Sequence, residues 1–516
     1  MPTRSIDLHK LSGKSAAILI CAIGLTAVYA GDARRPNIVF ILADDLGYGD
    51  VHCLNPQGKI PTLNIDGLAA AGMVFTDTHS SSAVCTPTRY SILTGRYNWR
   101  SRLKNGVLGG FSRPLIEPDR LTVAAFLKQH GYATAGFGKW HLGLDWPLKG
   151  GGFASSDNDA PFIDYTRPIQ QGPISFGFDY YFGISASLDM PPFTFLENDH
   201  VTAIPQVEKK WIRKGPAAED FEAIDVLPTL ERKTSEYISG RAPEAKQGIP
   251  FFLYLALTAP HTPTVPIREW QGKSGLNEYG DFVMQTDETV GRVLKALDKN
   301  GLTENTLVIF ASDNGCSPSA DFRQLLAKGH NPSFHFRGHK ADIFDGGHRI
   351  PFLARWPGRI KPGATSDQVI CLNDLFATCA DILGLTLPDN AAEDSVTILP
   401  ALECRAKAPL REAIVHHSIN GSFAIRQGKW KLELCPDSGG WSDPKPGSNA
   451  AKTLPAIQLY DLSQDIGERT NLQAQHPDVV ARLTKLLQKY IAEGRSTPGA
   501  PQPNTTPVRF REGGSQ

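Results

Sequence analysis

The chain has 516 residues, with 53 lysines and arginines, 53 aspartates and glutamates, and a formal net charge of zero. That length exceeds one simple core and predicts a large domain with a smaller one beside it. The charge balance excludes a general nucleic-acid or membrane-surface binder, which would carry a basic excess.

Residues 1–30 read as an export signal. Arg4, His9, Lys10 and Lys14 make a basic start, Ala16 to Ala27 is apolar, and Val28-Tyr29-Ala30 offers a small-x-small cleavage site. No other stretch is long enough to span a bilayer, so the chain is expected outside the cytoplasm, periplasmic or secreted, without a stable membrane span. Asn37 to Ala43 is an unbroken apolar run, the mark of a strand buried on both faces. It ends in Asp44-Asp45 and a glycine-rich turn. Asn64 to Gly72 reads as a helix and Val74 to Thr76 as a short strand.

Cys85 follows. Pro87 suits the first turn of a helix and Gly95 its end, so Cys85 stands at a helix start, where free N–H groups and the positive dipole end favour an anion. Arg89, one turn on, adds a cation. Leu121 to Gln129 is a helix. Ala133 to Phe137 is a strand opening into Gly138-Lys139-Trp140-His141-Leu142-Gly143. Residues 150–235 show no periodicity and read as substrate loops or insertions. Pro250 to Leu257 and Leu307 to Ala311 are two more buried strands, ending at Pro260-His261-Thr262-Pro263 and Asp313-Asn314-Gly315. Thr289 to Lys299 is an amphipathic helix.

This alternation predicts an α/β class, a large mostly parallel sheet sandwiched by helices over residues 31–385. Ligands bind such sheets beyond the carboxyl ends of the strands, which puts Asp44-Asp45, Lys139 and His141, His261, and Asp313-Asn314 on one rim. Residues 386–493 read as a smaller C-terminal α+β subdomain, with a hairpin turning near Gln427-Gly428 and a terminal helix from Pro477 to Ile491. Residues 494–516 read as a flexible tail.

Asp44, Asp45, Asp313 and Asn314 form a hard-oxygen set suited to Ca²⁺ or Mg²⁺. Strand alternation would send Asp44 and Asp45 to opposite faces, so the chain must turn there for both to converge. Cys53, Cys316, Cys371, Cys379, Cys404 and Cys435 could pair in an oxidising compartment, with no pattern set by their spacing. None forms a C-x-x-C pair, so no zinc site is expected.

Cys85-x-Pro87-x-Arg89 followed by Leu93-Thr94-Gly95-Arg96 resembles the signature of the type I, formylglycine-dependent sulfatases, an arylsulfatase-like family of the alkaline phosphatase superfamily. The Gly138–Gly143 segment, the Pro-His-Thr-Pro at His261 and the Arg-Gly-His-Lys ending at Lys340 are similar to further motifs of that family. The likeness covers about residues 35–385 densely. It departs at Asp345, where Glu is commoner, and at Gly67, where Arg is common.

The resemblance implies an alkaline-phosphatase-like fold and a sulfuric ester hydrolase. It implies one Ca²⁺ held by Asp44, Asp45, Asp313, Asn314 and residue 85. It also implies that a maturation enzyme, formylglycine-generating or equivalent, oxidises Cys85 to Cα-formylglycine, whose hydrate attacks sulfur. Arg89 then holds the hydrate, Lys139 and Lys340 bind sulfate oxygens, His261 protonates the leaving alkoxide, and His141 takes a proton from the second hydroxyl.

The expected substrate is a sulfated saccharide. Tyr165, Phe178, Tyr180, Tyr181, Phe193, Phe195 and Trp211 are candidates to stack on sugar rings, and His335 and Arg337 to bind hydroxyls or a second anion. A phosphonate or phosphate ester hydrolase of the same superfamily and an inactive secreted carbohydrate-binding protein are the alternatives.

Overall fold

Seven consecutive buried residues, Asn37–Ala43, form the central strand β1 of the computed structural model, which describes residues 35–509. The expected export signal lies outside the described residues. β1 is joined by β2 (Ala133–Lys139), β3 (Tyr180–Ile184), β4 (Phe251–Ala256) and β5 (Thr306–Ser312), all parallel, in the order β5-β1-β4-β2-β3. Ile38 lies opposite Phe252 on one side and Leu307 on the other. Strand alternation divides β1 between two cores: Ile38, Phe40 and Leu42 face one, Val39, Ile41 and Ala43 the other. This is why the run is apolar without interruption. Antiparallel β6 (Phe352–Arg355) extends the sheet past β5, and short strands complete ten.

Helices cover both faces. α1 (Cys85–Thr94) sends Tyr90, Ile92 and Leu93 into the first core. α2 (Ala223–Lys246) and α3 (Glu278–Lys299) close the second with Val226, Leu230, Val283, Val290 and Val293. Two of these elements, β3 and most of α2's first half, lie in the stretch expected to be irregular. β3 has only five residues with a glycine among them, and Pro228 and Pro243 inside α2 mask its helical pattern. Phe193 meets Trp211 at 4.7 Å and Phe195 meets Phe182 at 5.1 Å between ring centroids, while Tyr165, Phe178, Tyr180 and Tyr181 pack on Trp146, Phe252, Tyr237 and Trp140 outside the stretch.

The C-terminal part is an antiparallel meander of β7 (Ile414–His417), β8 (Phe423–Gln427), β9 (Trp430–Glu433) and β10 (Gln458–Asp461), covered by α4 (Pro477–Glu493). Gly428 turns the expected hairpin at φ +58°. Leu483 and Leu487 of α4 share a core with Ile414, Ile425 and Leu432, and also with Tyr97 and Trp99 just beyond α1. The stretch after Gly494, read from composition as a flexible tail, is tied down as far as it is described. Arg96 donates to the Pro503 carbonyl at 2.6 Å, Arg100 to Asn504 at 2.9 Å, and the Thr505 amide to the Arg100 carbonyl at 2.9 Å. The six thiols left open for pairing are all free: Cys316, Cys371, Cys379 and Cys435 each belong to a different apolar cluster, Cys53 is half-buried and Cys404 exposed. No described helix is long and apolar enough to cross a membrane.

Candidate active site

At the carboxyl end of β1 the chain turns at Asp45, whose φ is +65°. An aspartate tolerates this left-handed conformation better than most residues, and it turns both carboxylates of the Asp44-Asp45 pair onto the rim. The end of β5 delivers Asp313 and Asn314 next to them. The Asp45 amide donates to Asp313 Oδ1 at 3.2 Å, and Asn314 Nδ2 to Asp45 Oδ1 at 2.8 Å. All four side chains are buried.

Four cations or imidazoles surround this acidic knot. Arg89, one turn into α1, donates through Nε and Nη2 to Asp313 Oδ2 at 3.1 and 2.7 Å. Its third bond, from Nη1 to the Lys139 carbonyl at 3.1 Å, ties α1 to the end of β2. Lys139 Nζ lies 2.7 Å from Asp44 Oδ2, and Lys340 Nζ 2.7 Å from Asp45 Oδ1. His261 Nε2 is 3.6 Å from Asp45 Oδ2. Cys85 is the first residue of α1 and only 3% exposed, within the field of Lys139, Lys340, Asp313 and Asp44.

Burial disfavours the Asp44 charge, but Lys139, His261, Arg89 and Lys340 together outweigh it and hold this carboxyl well below the usual range. Asp313 goes the other way: burial and the Asp44 charge push it up, against Arg89. Burial lowers Lys340, yet Asp45 keeps its ammonium charged far beyond the usual lysine range. Burial pushes the Cys85 thiol up.

The two histidines have different hydrogen-bonded environments. His141 Nε2 lies 2.7 Å from the Leu108 carbonyl, which can only accept, so the ring proton sits on Nε2. Its Nδ1 is then a bare lone pair, buried and without a partner, and burial with Lys139 keeps the ring neutral. His261 Nδ1 lies 2.6 Å from the Thr262 carbonyl, so Nε2, facing Asp45 and Ser187, bears a proton only in the imidazolium. Burial and Lys340 pull that second proton's affinity down.

A hard cation fits this donor set. Asp44 Oδ1 and Asn314 Oδ1 are buried acceptors with no hydrogen-bond partner among the described residues, beside the carboxylates of Asp45 and Asp313. Two orphaned oxygens amid further carboxylate oxygens match what Ca²⁺ takes. Asp44, Asp45 and His261 also present one candidate ligand atom each, all within 4.8 Å of one another, though an imidazole suits a hard cation poorly.

Ten of the twelve sequence-predicted residues thus meet in one place. Arg337 and His335 form no bond to this knot among the described residues. Arg337 stacks over Phe344 at 3.7 Å and donates to the Glu468 carbonyl at 2.7 Å, and His335 lies against Phe334 and Phe336. Ser187 was missed. Beyond the end of β3, its hydroxyl accepts from Lys139 at 3.0 Å and lies 3.2 Å from His261 Nε2, joining the two. Its signal was a parallel strand ending one turn earlier.

The family model described as Sulfatase matches residues 36–385. An N-acetylgalactosamine-6-O-sulfatase of Bacteroides thetaiotaomicron is 34% identical, covering 89% of this chain and 93% of that protein. Arylsulfatase A of Homo sapiens is 34% identical over 91% of this chain and 89% of its own. A solved structure described under metabolism of multiple glycosaminoglycans by Bacteroides thetaiotaomicron superposes with a TM-score of 0.75 at 34% identity, covering 88% of this chain and 99% of that one.

Proposed function

The chain belongs to the sulfatase family and is a sulfuric ester hydrolase, and on that premise we propose an exported enzyme that removes sulfate from sulfated saccharides. The observation that carries the chemistry is Cys85 at a helix start between Lys139 and Lys340, against a buried oxygen-ligand cluster. The saccharide reading rests on the galactosamine-6-sulfatase similar over nine-tenths of both chains. The export reading rests on the sequence of residues 1–30, and a maturation enzyme is its expected partner.

Asp44, Asp45, Asp313 and Asn314 would hold the calcium ion, which when bound supplies positive charge to sulfate oxygens. Oxidised to Cα-formylglycine, position 85 would supply as its hydrate the attacking hydroxyl. The chain's own groups do the rest. Arg89 pins Asp313 and the end of β2 beside residue 85. Lys139 and Lys340 bring two fixed cations to the sulfate, and their pairing with Asp44 and Asp45 holds them in place without solvent reorganisation. A bound sulfate offsets the effect of Lys340 on His261, so the imidazolium forms and Nε2 donates to the leaving alkoxide. The free Nδ1 of His141 accepts a proton, its tautomer locked by the Leu108 carbonyl.

Two measurements test this reading. Peptide mass analysis should find the aldehyde at position 85, and a panel of defined sulfated saccharides, N-acetylgalactosamine 6-sulfate first, should include a substrate. Active protein with an intact Cys85 thiol would overturn the mechanism. Fast turnover of an aryl sulfate or phosphonate with no saccharide cleaved would overturn the substrate class.

A further inference from the structure

A second cluster of buried polar groups lies outside the rim. His79, from the short strand Thr78–His79 before Cys85, meets His348 of the Asp345–His348 turn and His416 of β7. All three are fully buried, and one nitrogen of each lies within 4.8 Å of those of the other two. They come from three parts of the chain, and none figures in the chemistry above.

The protons of this cluster do not add up without a further positive charge. His79 Nε2 lies 2.8 Å from Asp77 Oδ1, His348 Nε2 lies 2.9 Å from the Ile343 carbonyl, and the two Nδ1 atoms lie 2.9 Å apart. The chain of contacts runs from carboxylate through two imidazoles to carbonyl. It contains three hydrogen-bond distances, and two neutral imidazoles bring two protons. With the outer protons on Asp77 and Ile343, two Nδ1 lone pairs face each other. The longer contacts from Arg349, Arg426 and Lys431 to the outer nitrogens, 3.2 to 3.4 Å, do not replace those protons. The three cations bond more closely to Asp77, Asp345 and the Ile343 carbonyl.

His416 shows the same deficit. Its Nδ1 lies 3.3 Å from the Ser80 carbonyl, and its Nε2 is buried with no partner among the described residues. Each ring thus turns one N–H outward to an oxygen acceptor and one bare nitrogen inward. Histidines that ligate metals have this arrangement, because the outer acceptor fixes the tautomer and raises ligand basicity. Asp77, Asp345, Glu433 and Glu468 are matched by Arg349, Arg426, Lys431 and Arg337, so the surrounding charges balance, and the inward-facing lone pairs are what call for a cation.

We propose that His79 Nδ1, His348 Nδ1 and His416 Nε2 bind a divalent transition ion of the borderline class, zinc by preference, as a structural clip between the C-terminal sheet and the strand leading to Cys85. Imidazole nitrogen suits zinc, copper and nickel, and a hard cation such as calcium would not choose it. Zinc's fourth position is left for a small ligand such as water. The His348 and His416 rings stack at 3.8 Å, 10° from parallel, so binding fans them apart. The absence of C-x-x-C gave no reason to expect zinc, but this site uses no cysteine.

The test uses the full chain, produced with zinc in the medium and purified without chelators. Elemental analysis should find one zinc per chain, and added zinc should raise the unfolding temperature of metal-stripped protein. Cobalt in its place should give the intense visible absorption of a tetrahedral site. His416→Phe keeps the ring's volume and its stacking on His348 but removes the donor, and should lower zinc occupancy at least tenfold. Wild-type protein that takes up no zinc and gains no thermal stability from it would overturn the proposal, leaving a proton shared between His79 and His348. So would zinc retained undiminished in the phenylalanine variant.

Discussion

The Lys340 ammonium lies 2.7 Å from one oxygen of Asp45 and 2.8 Å from the other. A carboxylate held this way already has a counter-charge, and a calcium ion on the same carboxylate must share it. Lys340→Ala should therefore bind calcium more tightly while kcat/KM falls on the order of 10²–10³-fold, the scale of losing one preorganised positive group. Calorimetric titration beside steady-state kinetics checks both. Weaker calcium binding would show that Lys340 organises the cation site instead of competing for it.

Asp313 links cation chemistry to architecture, since Arg89 has two donors on one of its oxygens and both side chains are fully buried. Asp313→Asn should abolish most activity but cost less stability than breaking an isolated buried pair, since Arg89 keeps Asp44 Oδ1 at 3.6 Å and the Lys139 carbonyl, and the burial and Asp44 repulsion that push Asp313 up are relieved. A calcium chelator should remove activity from the wild type with a smaller change in unfolding temperature. Metal-free protein of full activity, confirmed by elemental analysis, would refute the cation's role.

His261 is assigned to the leaving group, and that assignment has a kinetic signature. His261→Ala should cost about 10²–10⁴-fold on an alkyl or sugar sulfate, whose alkoxide needs the proton, and much less on nitrophenyl sulfate, whose phenoxide does not. Equal losses on both would place His261 in sulfate binding.

Asp394 supports the base of α1 from behind. It takes Arg100 Nε and Nη2 at 2.8 and 2.9 Å and the Tyr97 amide at 2.8 Å, fully buried. Burial opposes its charge, but Arg100 and these bonds outweigh it and hold its carboxyl below the usual aspartate range. With the folded pKa depressed, the stabilisation is fully present above about pH 4 and is lost as pH falls further. Asp394→Asn should cost about 3–5 kcal/mol at pH 7, and its gap to the wild type should narrow below pH 4. Denaturant unfolding at several pH values reads this directly, and a constant gap would contradict it.

Asp44-Asp45, His261 and Asp313-Asn314 were legible because each follows a strand that is apolar on both faces, and strand ends in a parallel sheet share one side, whereas Lys340 was placed only by the family resemblance. Asp45 shows how far that reading reaches. The need for a turn followed from alternation, and the turn is its left-handed φ. Ser187 was out of reach because β3 is short, aromatic and interrupted by Gly183. Arg337 misled for a physical reason. Only two residues separate it from Lys340, but Gly338 between them sits at φ +77° and turns the chain, sending Arg337 to Phe344 and Glu468. The histidine cluster leaves no spacing to read, since positions 79, 348 and 416 meet only in the folded chain.

The bonds from Arg96 and Arg100 to residues 503–505 set an order of events. Arg96 and Arg100, just beyond the helix that Cys85 starts, cannot complete these bonds until residues 503–505 have been made, some 420 residues after Cys85, or roughly 20–80 s at ordinary rates of synthesis. Once packed, a side chain 3% exposed is closed to another enzyme's active centre. The maturation enzyme proposed above would therefore work in a time slot whose length these late contacts help to set. Slowing synthesis would widen it.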